Sequence, residues 1–305
     1  MAWSPVEYME VAPSSPYPPA VVDDRYLVCP DYVYGGSSKP GNVPRFTVAV
    51  MDASTSSAVL YDGLGWAAEP AATPGYAWIA SNASDPGAGA GSSATSLVKF
   101  DPSTGSNTSY TAPSLRRQVK ICATSTHIWL MNGGWGGSTD IERFKISTST
   151  WDSAFTLGAI VDSVAWDGSS YVYVFLASSV IRYDVSSGST TTVTPSGYQT
   201  PAGVQVARDP YGVLWYYVFN KIYRWNPGVS YTAITPGVSG SGTGACYGND
   251  GFMYFVPGAS DKLVTCDLAG SSVGSYTLSP SRANRYVVAY ADGRLWIPAG
   301  APYTR

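Results

Sequence analysis

Charged residues are scarce in this chain. Asp, Glu, Lys and Arg make up 13% of its 305 residues, and the net charge is only −3. The 18 basic residues are scattered, with only Arg116 and Arg117 adjacent, so the sequence lacks the basic footprint of a nucleic-acid-binding protein. No apolar run is long enough to span a bilayer. We therefore expect no nucleic-acid partner and no membrane insertion.

Histidine and paired cysteines are nearly absent as well. His127 is the only histidine, and Cys29, Cys122, Cys246 and Cys266 lie far apart with no CxxC spacing. A nucleophilic triad needs a base beside Ser or Cys, and His127 offers one candidate alone. No phosphate-binding loop, EF-hand loop or His-rich motif occurs. The sequence therefore predicts no catalytic residue, no metal and no cofactor, and it predicts free buried thiols.

A helical pattern is missing, whereas residues that favour strands and turns are plentiful. No stretch sustains the 3.6-residue apolar spacing of an amphipathic helix. Aromatic residues make up 13% of the chain, which also contains 32 glycines and 22 prolines. Aromatic residues favour strands, and Gly and Pro favour turns. The composition therefore predicts an ordered all-β protein.

Short aromatic strands that follow a turn recur along the chain. The clearest copy is residues 213–226, VLWYYVFNKIYRWN, preceded by the turn 209–212, DPYG. Aligned on their central large residue, the copies have these anchors: Leu27, Trp78, Trp129, Tyr173, Trp215, Tyr254 and Trp296. Successive anchors are 39 to 51 residues apart, a period typical of propeller blades.

Each anchor is flanked by further short strands, which gives four strands per unit, named a to d. A single unit cannot bury both faces of its sheet, so neighbouring units must stack. The sequence therefore predicts one β-propeller domain over residues 1–305, with seven four-stranded blades as the main count and six as the alternative. Residues 1–16 are expected to supply a closing strand and a linker, with residues 6–11 pairing near the C-terminal segment. The predicted blades cover residues 17–65, 66–113, 114–158, 159–197, 198–239, 240–281 and 282–305.

The connections between strands b and c are long in the first three units only. Insertions on one face often mark a binding face, although lengthening a loop also costs little free energy. Both interpretations stay open on the sequence alone. Under the first, a partner contacts residues 32–45, 81–96 and 132–140, through Tyr32, Tyr34, Asn82, Asp85, Asn132, Trp135 and Asp140.

One unit resembles a Kelch repeat. In residues 129–151 a strand ends in the pair Gly133 and Gly134, a loop follows, and Phe144 then precedes Trp151. The other units lack the glycine pair, so the resemblance covers this unit alone.

Two segments are similar to virginiamycin B lyase-like seven-bladed propellers: residues 209–216, DPYGVLWY, and residues 292–297, DGRLWI. Members of that family are expected to use a histidine base with a bound magnesium ion. His127 takes a place occupied in other units by Tyr171 and Arg294, which favours a turn residue over a base. The resemblance therefore implies architecture only.

The leading functional hypothesis is a non-enzymatic interaction or adhesion module. A composition rich in Gly, Ser, Thr and Tyr and poor in Lys resembles that of bacteriophage fibre, spike and decoration proteins. Aromatic rings beside Asn, Ser and Asp suit saccharide or protein recognition. The expected partners are other virion proteins or a surface glycan or receptor, with an oligomer arising through assembly. The alternatives are a propeller hydrolase or lyase with a carboxylate or metal site in the central channel, and a secreted lectin.

The N-terminal residues MAWSPVEYMEVAPSS contain neither the basic nor the apolar stretch of a secretory signal. We therefore expect synthesis in a cytoplasm, with a virion as the main location and the cytoplasm as the alternative.

Overall fold

The computed structural model describes residues 19–33, 45–62, 66–82, 94–116, 119–132, 140–153, 155–201, 204–240, 242–258, 261–278 and 288–297. Every regular element in these ranges is a β-strand, as the sequence predicts. No helix in the described part of the chain is long and apolar enough to cross a membrane.

The strands form consecutive antiparallel sheets in chain order. Blade one contains β1 (Ala20–Val22), β2 (Tyr26–Val33), β3 (Arg45–Asp52) and β4 (Ser57–Asp62). Blade two contains β5 (Trp66–Thr73), β6 (Tyr76–Asn82), β7 (Ala94–Phe100) and β8 (Asn107–Arg116). Blade three contains β9 (Val119–Ala123), β10 (His127–Asn132), β11 (Asp140–Lys145) and a divided outer strand, β12 (Thr150–Trp151) and β13 (Phe155–Thr156).

The later blades repeat this order with shorter connections. Blade four contains β14 (Ser163–Trp166), β15 (Tyr171–Phe175), β16 (Val180–Asp184) and β17 (Thr190–Thr192). Blade five contains β18 (Ala207–Arg208), β19 (Leu214–Val218), β20 (Lys221–Asn226) and β21 (Ser230–Ile234). Blade six contains β22 (Gly242–Gly248), β23 (Phe252–Pro257), β24 (Lys262–Asp267) and β25 (Val273–Thr277). A two-stranded sheet follows, β26 (Ala289–Ala291) and β27 (Arg294–Trp296).

The predicted β-propeller is confirmed. The described residues contain six complete blades, the count that the sequence offers as its alternative, and the last unit adds the two-stranded sheet β26–β27. The a strand of each blade contacts the next a strand, and β26 contacts both β22 and β1, which closes the ring. Residues 6–11 lie outside the described residues, so the predicted closing strand, the single domain and its unit boundaries stay predictions.

A ring of small residues surrounds the central channel. Each small residue lies in an a strand directly opposite a larger b-strand residue. The small residues are Ala20, Ala71, Cys122, Ala165, Ala207, Cys246 and Ala289, and their partners are Val28, Trp78, Trp129, Tyr173, Trp215, Tyr254 and Trp296. Radial sheets converge towards the centre, so a large side chain on strand b fits only beside a small one on strand a.

The predicted anchor of the first unit is shifted by one residue. Leu27 packs against Ala289 and Ala291 of the β26–β27 sheet, whereas Val28 packs against blade two as the other anchors pack against their next blade. A shift of one residue moves a strand side chain to the opposite face of the sheet. Val28 is therefore the first anchor, because the weak repeat DRYLV offers two adjacent apolar residues and no aromatic residue to decide between them.

Three of the anchor tryptophans lie opposite a cationic residue of the neighbouring c strand. The pairs are Trp78–Lys99, Trp129–Arg143 and Trp215–Arg224, with the cationic group 5.4–5.8 Å from the ring centre. Such contacts contribute about 0.5–2 kcal/mol each. Arg224 Nε also donates a hydrogen bond of 3.2 Å to the carbonyl of Leu268 in the next blade. The side chain of Arg224 therefore links its own anchor to the neighbouring sheet.

The recurrent aspartates form turns, as the sequence predicts. Asp101, Asp184 and Asp209 each accept a hydrogen bond from the backbone N–H two residues later, at 2.9 Å. Asp209 also accepts a bond of 3.0 Å from Nε1 of Trp215, the anchor that follows it. The short polar side chain therefore fixes the turn and, in blade five, the orientation of the anchor.

The c–d turn of blade two offers a test of packing between blades. Gly105 has a positive φ of 77°, and a Cβ there would lie 2.2 Å from Cε1 of Tyr61 in blade one. Gly228, in the c–d turn of blade five, has a φ of 79° with open space around it. Gly228→Ala should therefore cost about 1–2 kcal/mol for the backbone conformation alone. Gly105→Ala should cost about 1–3 kcal/mol more through overpacking. Urea unfolding of both variants measures the difference, and equal losses would show that Tyr61 does not fix this blade contact.

Candidate functional site in the central channel

The a strands of the blades line the channel, and its two ends differ in character. Because each blade is a meander, the a–b and c–d turns lie at one end of the channel, called the turn end. The b strands end, and the a and c strands begin, at the other end, called the loop end. The function of a propeller depends on the side chains that the fold presents, and those of the a strands are considered first.

An ion pair lies on the a strands of blades two and three. Lys120 Nζ donates to Glu69 Oε1, and the two side chains are only 15% and 16% exposed. The pairing of β5 with β6 shifts between Ala67 and Pro70, so Glu69 lies in a β-bulge. Bulges redirect side chains and are frequent beside active sites. A carboxylate and an ammonium group are therefore held together, half-buried, at the loop end of the channel.

Three further polar side chains among the described residues near this end of the channel are already hydrogen-bonded. Ser163 Oγ donates to the carbonyl of Val204 at 3.2 Å. Thr200 Oγ1 donates to Asp162 Oδ2 at 2.6 Å. Gln205 Oε1 accepts from the backbone N–H of Ala245 at 3.2 Å. These groups connect blades, so the pair Glu69–Lys120 is the stronger candidate for proton transfer.

Cysteine chemistry is suppressed in the channel. Burial raises the pKa of the Cys122 thiol to about 12, with opposing effects of the charges on Arg208 and Glu69. Burial likewise raises the pKa of Cys246. All four cysteines are free, and three of them are buried, which confirms the predicted free thiols. A protonated thiol is a poor nucleophile, so these residues serve packing.

His127 lies away from the channel, at the start of β10. Its Nδ1 is 2.8 Å from Thr126 Oγ1, and its Nε2 is 3.3 Å from Asp152, which follows the outer strand β12. Asp152 also pairs with Arg143 at 3.3 Å. The position confirms a residue beside the a–b turn, and it does not fit a base that acts in the channel.

The described residues do not fit the magnesium site that the lyase-like resemblance implies. Among the described residues, no three His, Cys, Asp or Glu side chains converge on a point that could hold a metal ion.

Most of the predicted partner surface lies outside the described residues, including Tyr34, Asp85 and Trp135. Tyr32, Asn82 and Asn132 fall in or at the end of β2, β6 and β10, which are b strands of three successive blades, but their side chains are outside the described part. Asp140 opens β11 and accepts a hydrogen bond of 2.7 Å from Thr156 Oγ1. In blades one to three the b strands end, and the c strands begin, at the same end of the channel. The binding role of these seven residues stays a prediction.

The two aromatic residues of the Kelch-like pattern have a structural role. Phe144 in β11 and Trp151 in β12 are cross-strand partners, with ring centres 5.1 Å apart. The glycine pair 133–134 lies outside the described residues. The described part of the pattern therefore serves packing of the outer strand.

Three solved propellers to which the chain is similar are lyases. The chain superposes on a streptogramin B lyase structure with a TM-score of 0.71 and 14% identity, over 96% of this chain and 93% of that chain. It superposes on selenomethionine-substituted virginiamycin B lyase from Staphylococcus aureus with a TM-score of 0.59 and 14% identity, over 77% and 78% of the two chains. No protein-family model matches the chain, and no curated protein matches it.

A third neighbour was solved with a ligand. A catalytically inactive histidine-to-alanine variant of virginiamycin B lyase from Staphylococcus aureus with quinupristin has a TM-score of 0.63 and 12% identity. It covers 90% of this chain and 97% of that chain. At these identities the likeness shows the fold, and it confirms the architecture that the resemblance to lyase-like propellers implies.

The predicted non-enzymatic interaction module is contradicted by these neighbours, which are enzymes. They favour the alternative of a propeller lyase, and they give no support to the resemblance to bacteriophage fibre proteins or to adhesion and carbohydrate binding. The non-enzymatic interpretation was drawn from composition. Composition reports which side chains are present, whereas a functional site depends on where the fold places them. The expected partners and the virion or cytoplasmic location stay predictions.

Sequence reasoning missed Glu69 and Lys120. Their distance along the chain is 51 residues, equal to the spacing of the anchors Trp78 and Trp129, so the two occupy equivalent places in successive blades. Pro70, which cannot donate a ladder hydrogen bond, was a usable signal of a bulge or edge position beside Glu69.

The environment of His127 predicts a dependence of stability on pH. Burial lowers the pKa of His127 below its ordinary value of 6.5. The unfolded chain therefore binds a proton more readily than the folded one, so the stability that neutral His127 contributes above pH 6.5 is lost as pH falls. The slope cannot exceed about 1.4 kcal/mol per pH unit for one group. In urea unfolding from pH 8 to 5, His127→Gln should lose less stability than the wild-type protein, and parallel curves would contradict this assignment.

Proposed function

We propose that the chain is a propeller enzyme of the lyase type, with Glu69 and Lys120 as its acid–base pair. The observation that supports this is the half-buried ion pair on two adjacent a strands, with Glu69 placed on a β-bulge. The similarity of the fold to streptogramin B lyases adds weight to the reaction class. The proposal replaces the non-enzymatic hypothesis and keeps the carboxylate site of the alternative.

The chemistry of an elimination suits a carboxylate beside an ammonium group. Glu69 would accept a proton from a carbon of the substrate, and the electron pair of that C–H bond would form a new double bond. The bond to the leaving group then breaks, and the leaving group departs with its electron pair. Lys120 would donate a proton to the leaving group or stabilise its negative charge. No water is consumed.

A purely structural ion pair is the competing interpretation. Such a pair would tie blade two to blade three and have no effect on catalysis, and its net contribution to stability would be small because the desolvation of both charges offsets much of their attraction. The two interpretations differ in what a neutral isostere does. Glu69→Gln keeps size and hydrogen bonding but cannot act as a base, whereas a structural role would show mainly in the melting temperature.

Quinupristin, the ligand named with one solved neighbour, is the first substrate to test. The wild-type protein should cleave it, with a mass balance that includes no added water. Glu69→Gln and Lys120→Met should each lower turnover by about 10²–10⁴, the usual contribution of a positioned acid or base. His127→Gln is the matched control and should retain wild-type turnover, because His127 lies outside the channel.

Folding of each variant is checked by circular dichroism and melting temperature. Unchanged turnover in Glu69→Gln would assign the ion pair to structure. Loss of turnover in His127→Gln with the fold intact would move the site away from the channel. With the staphylococcal lyase as positive control, no cleavage by the wild-type protein would contradict the proposal for this substrate.

A further inference from the structure

The turn end of the channel has an uneven rim. One residue beyond the ring of small residues, each a strand carries a side chain that is at least partly exposed. Three of them, in blades one to three, are small: Val21, Ala72 and Ala123. The other four, which are consecutive around the ring, are Trp166, Arg208, Tyr247 and Tyr290. One side of the rim therefore carries small aliphatic side chains, and the other side, called the aromatic half, carries three aromatic rings and one cation.

Arg208 is held in place by its neighbours. Its guanidinium carbon lies 5.3 Å from the ring centre of Trp166 in the preceding blade. A Cβ added to Gly168, in the a–b turn of that blade, would lie 1.3 Å from Nη1 of Arg208. The guanidinium thus rests on an indole face and on the bare backbone of Gly168. A cation ordered in this way loses little conformational entropy when it binds an anion.

The nearby carboxylates do not neutralise Arg208. Asp167 Oδ1 accepts from the backbone N–H groups of Ser169 and Tyr171 at 2.8 and 3.0 Å. Asp209 accepts from two backbone N–H groups and from Trp215. Within the described ranges, Arg208 makes neither an ion pair nor a hydrogen bond, and more than a third of it is exposed. The guanidinium N–H groups of Arg208 are therefore available to bind an anion from outside the chain.

The rest of this half of the rim presents rings. Trp166 Nε1 donates a hydrogen bond of 3.3 Å to the carbonyl of Ser169 in the a–b turn of its own blade. This bond fixes the orientation of the indole ring. Tyr290 stacks on Tyr254 with ring centres 6.4 Å apart, and Tyr247 packs at the edge of the cluster between blades five and six. Fixed aromatic faces beside a cation suit a planar ligand that carries a negative charge.

We propose that the turn end of the channel binds a small aromatic carboxylate. The carboxylate pairs with Arg208, and the ring lies against the aromatic half of the rim. A single guanidinium with no second cation on the rim matches one negative charge, which favours a carboxylate over a phosphate dianion. The site is separate from Glu69 and Lys120 and does not depend on the proposed lyase activity.

Calorimetric titration of the 305-residue chain with benzoate tests the proposal, with benzamide and inorganic phosphate as comparison probes. The wild-type protein should bind benzoate saturably, benzamide far more weakly, and phosphate more weakly than benzoate. Arg208→Gln should weaken benzoate binding at least about tenfold, as expected for loss of a charge-assisted hydrogen bond.

A pair of glycine variants separates positioning of Arg208 from folding. Gly168→Ala keeps Arg208 but displaces its guanidinium, so it should also weaken benzoate binding about tenfold or more. Gly251 occupies the equivalent turn of blade six, with a φ of 88° against 87° at Gly168 and open space around it. Gly251→Ala carries the same backbone cost and should bind benzoate as the wild-type protein does.

Three results would overturn the proposal: no saturable binding of benzoate, equal binding by Arg208→Gln, or equal affinity for phosphate and benzoate. Glu69→Gln and Lys120→Met should bind benzoate normally. Loss of binding in those variants would place benzoate at the loop end and would also overturn the proposal, whatever their turnover.

Discussion

Close packing at the narrow centre of the ring is the constraint on which the rest of this structure depends. Radial sheets leave least room at their inner edges, and the chain meets this limit by placing Ala or Cys opposite each b-strand anchor, as at Ala207 and Trp215. The anchors then fill the wider space between blades, where Trp78, Trp129 and Trp215 are fully buried. Overpacking of one methyl group at this ring costs about 1–3 kcal/mol, so its size is tightly constrained. Two of the four free cysteines belong to the ring, which gives them a packing role.

Because the inner residues are small, the channel keeps room for the side chains above and below them. At the loop end the bulge in β5 brings Glu69 to Lys120, and at the turn end Arg208 rests on Trp166 and Gly168. The two ends therefore carry different chemistry on the same seven inner strands. An acid–base pair suits proton transfer, whereas an ordered guanidinium among rings suits recognition of an anion.

The contrast between His127 and Glu69 shows how far a resemblance carries. The similarity to lyase-like propellers is real at the level of fold, yet the only histidine opens a b strand and pairs with Asp152, outside the channel. A fold fixes strands and turns, and its loops and inner surfaces can carry other groups. If this chain catalyses an elimination, it does so with a carboxylate in place of the histidine that the resemblance implies.

The sequence by itself determined the class of fold, the repeat and the turns. The spacing of the anchors, the aspartates at the turns and the buried thiols are local patterns, and local patterns survive in the folded chain because each blade is built from neighbouring residues. The anchor of the first unit failed, since Leu27 and Val28 are equally apolar and only contacts with the flanking sheets select Val28. Glu69 and Lys120, like Arg208 and Gly168, come together only across blades. Such contacts depend on strand register and on a bulge, and the sequence around each residue alone does not determine them.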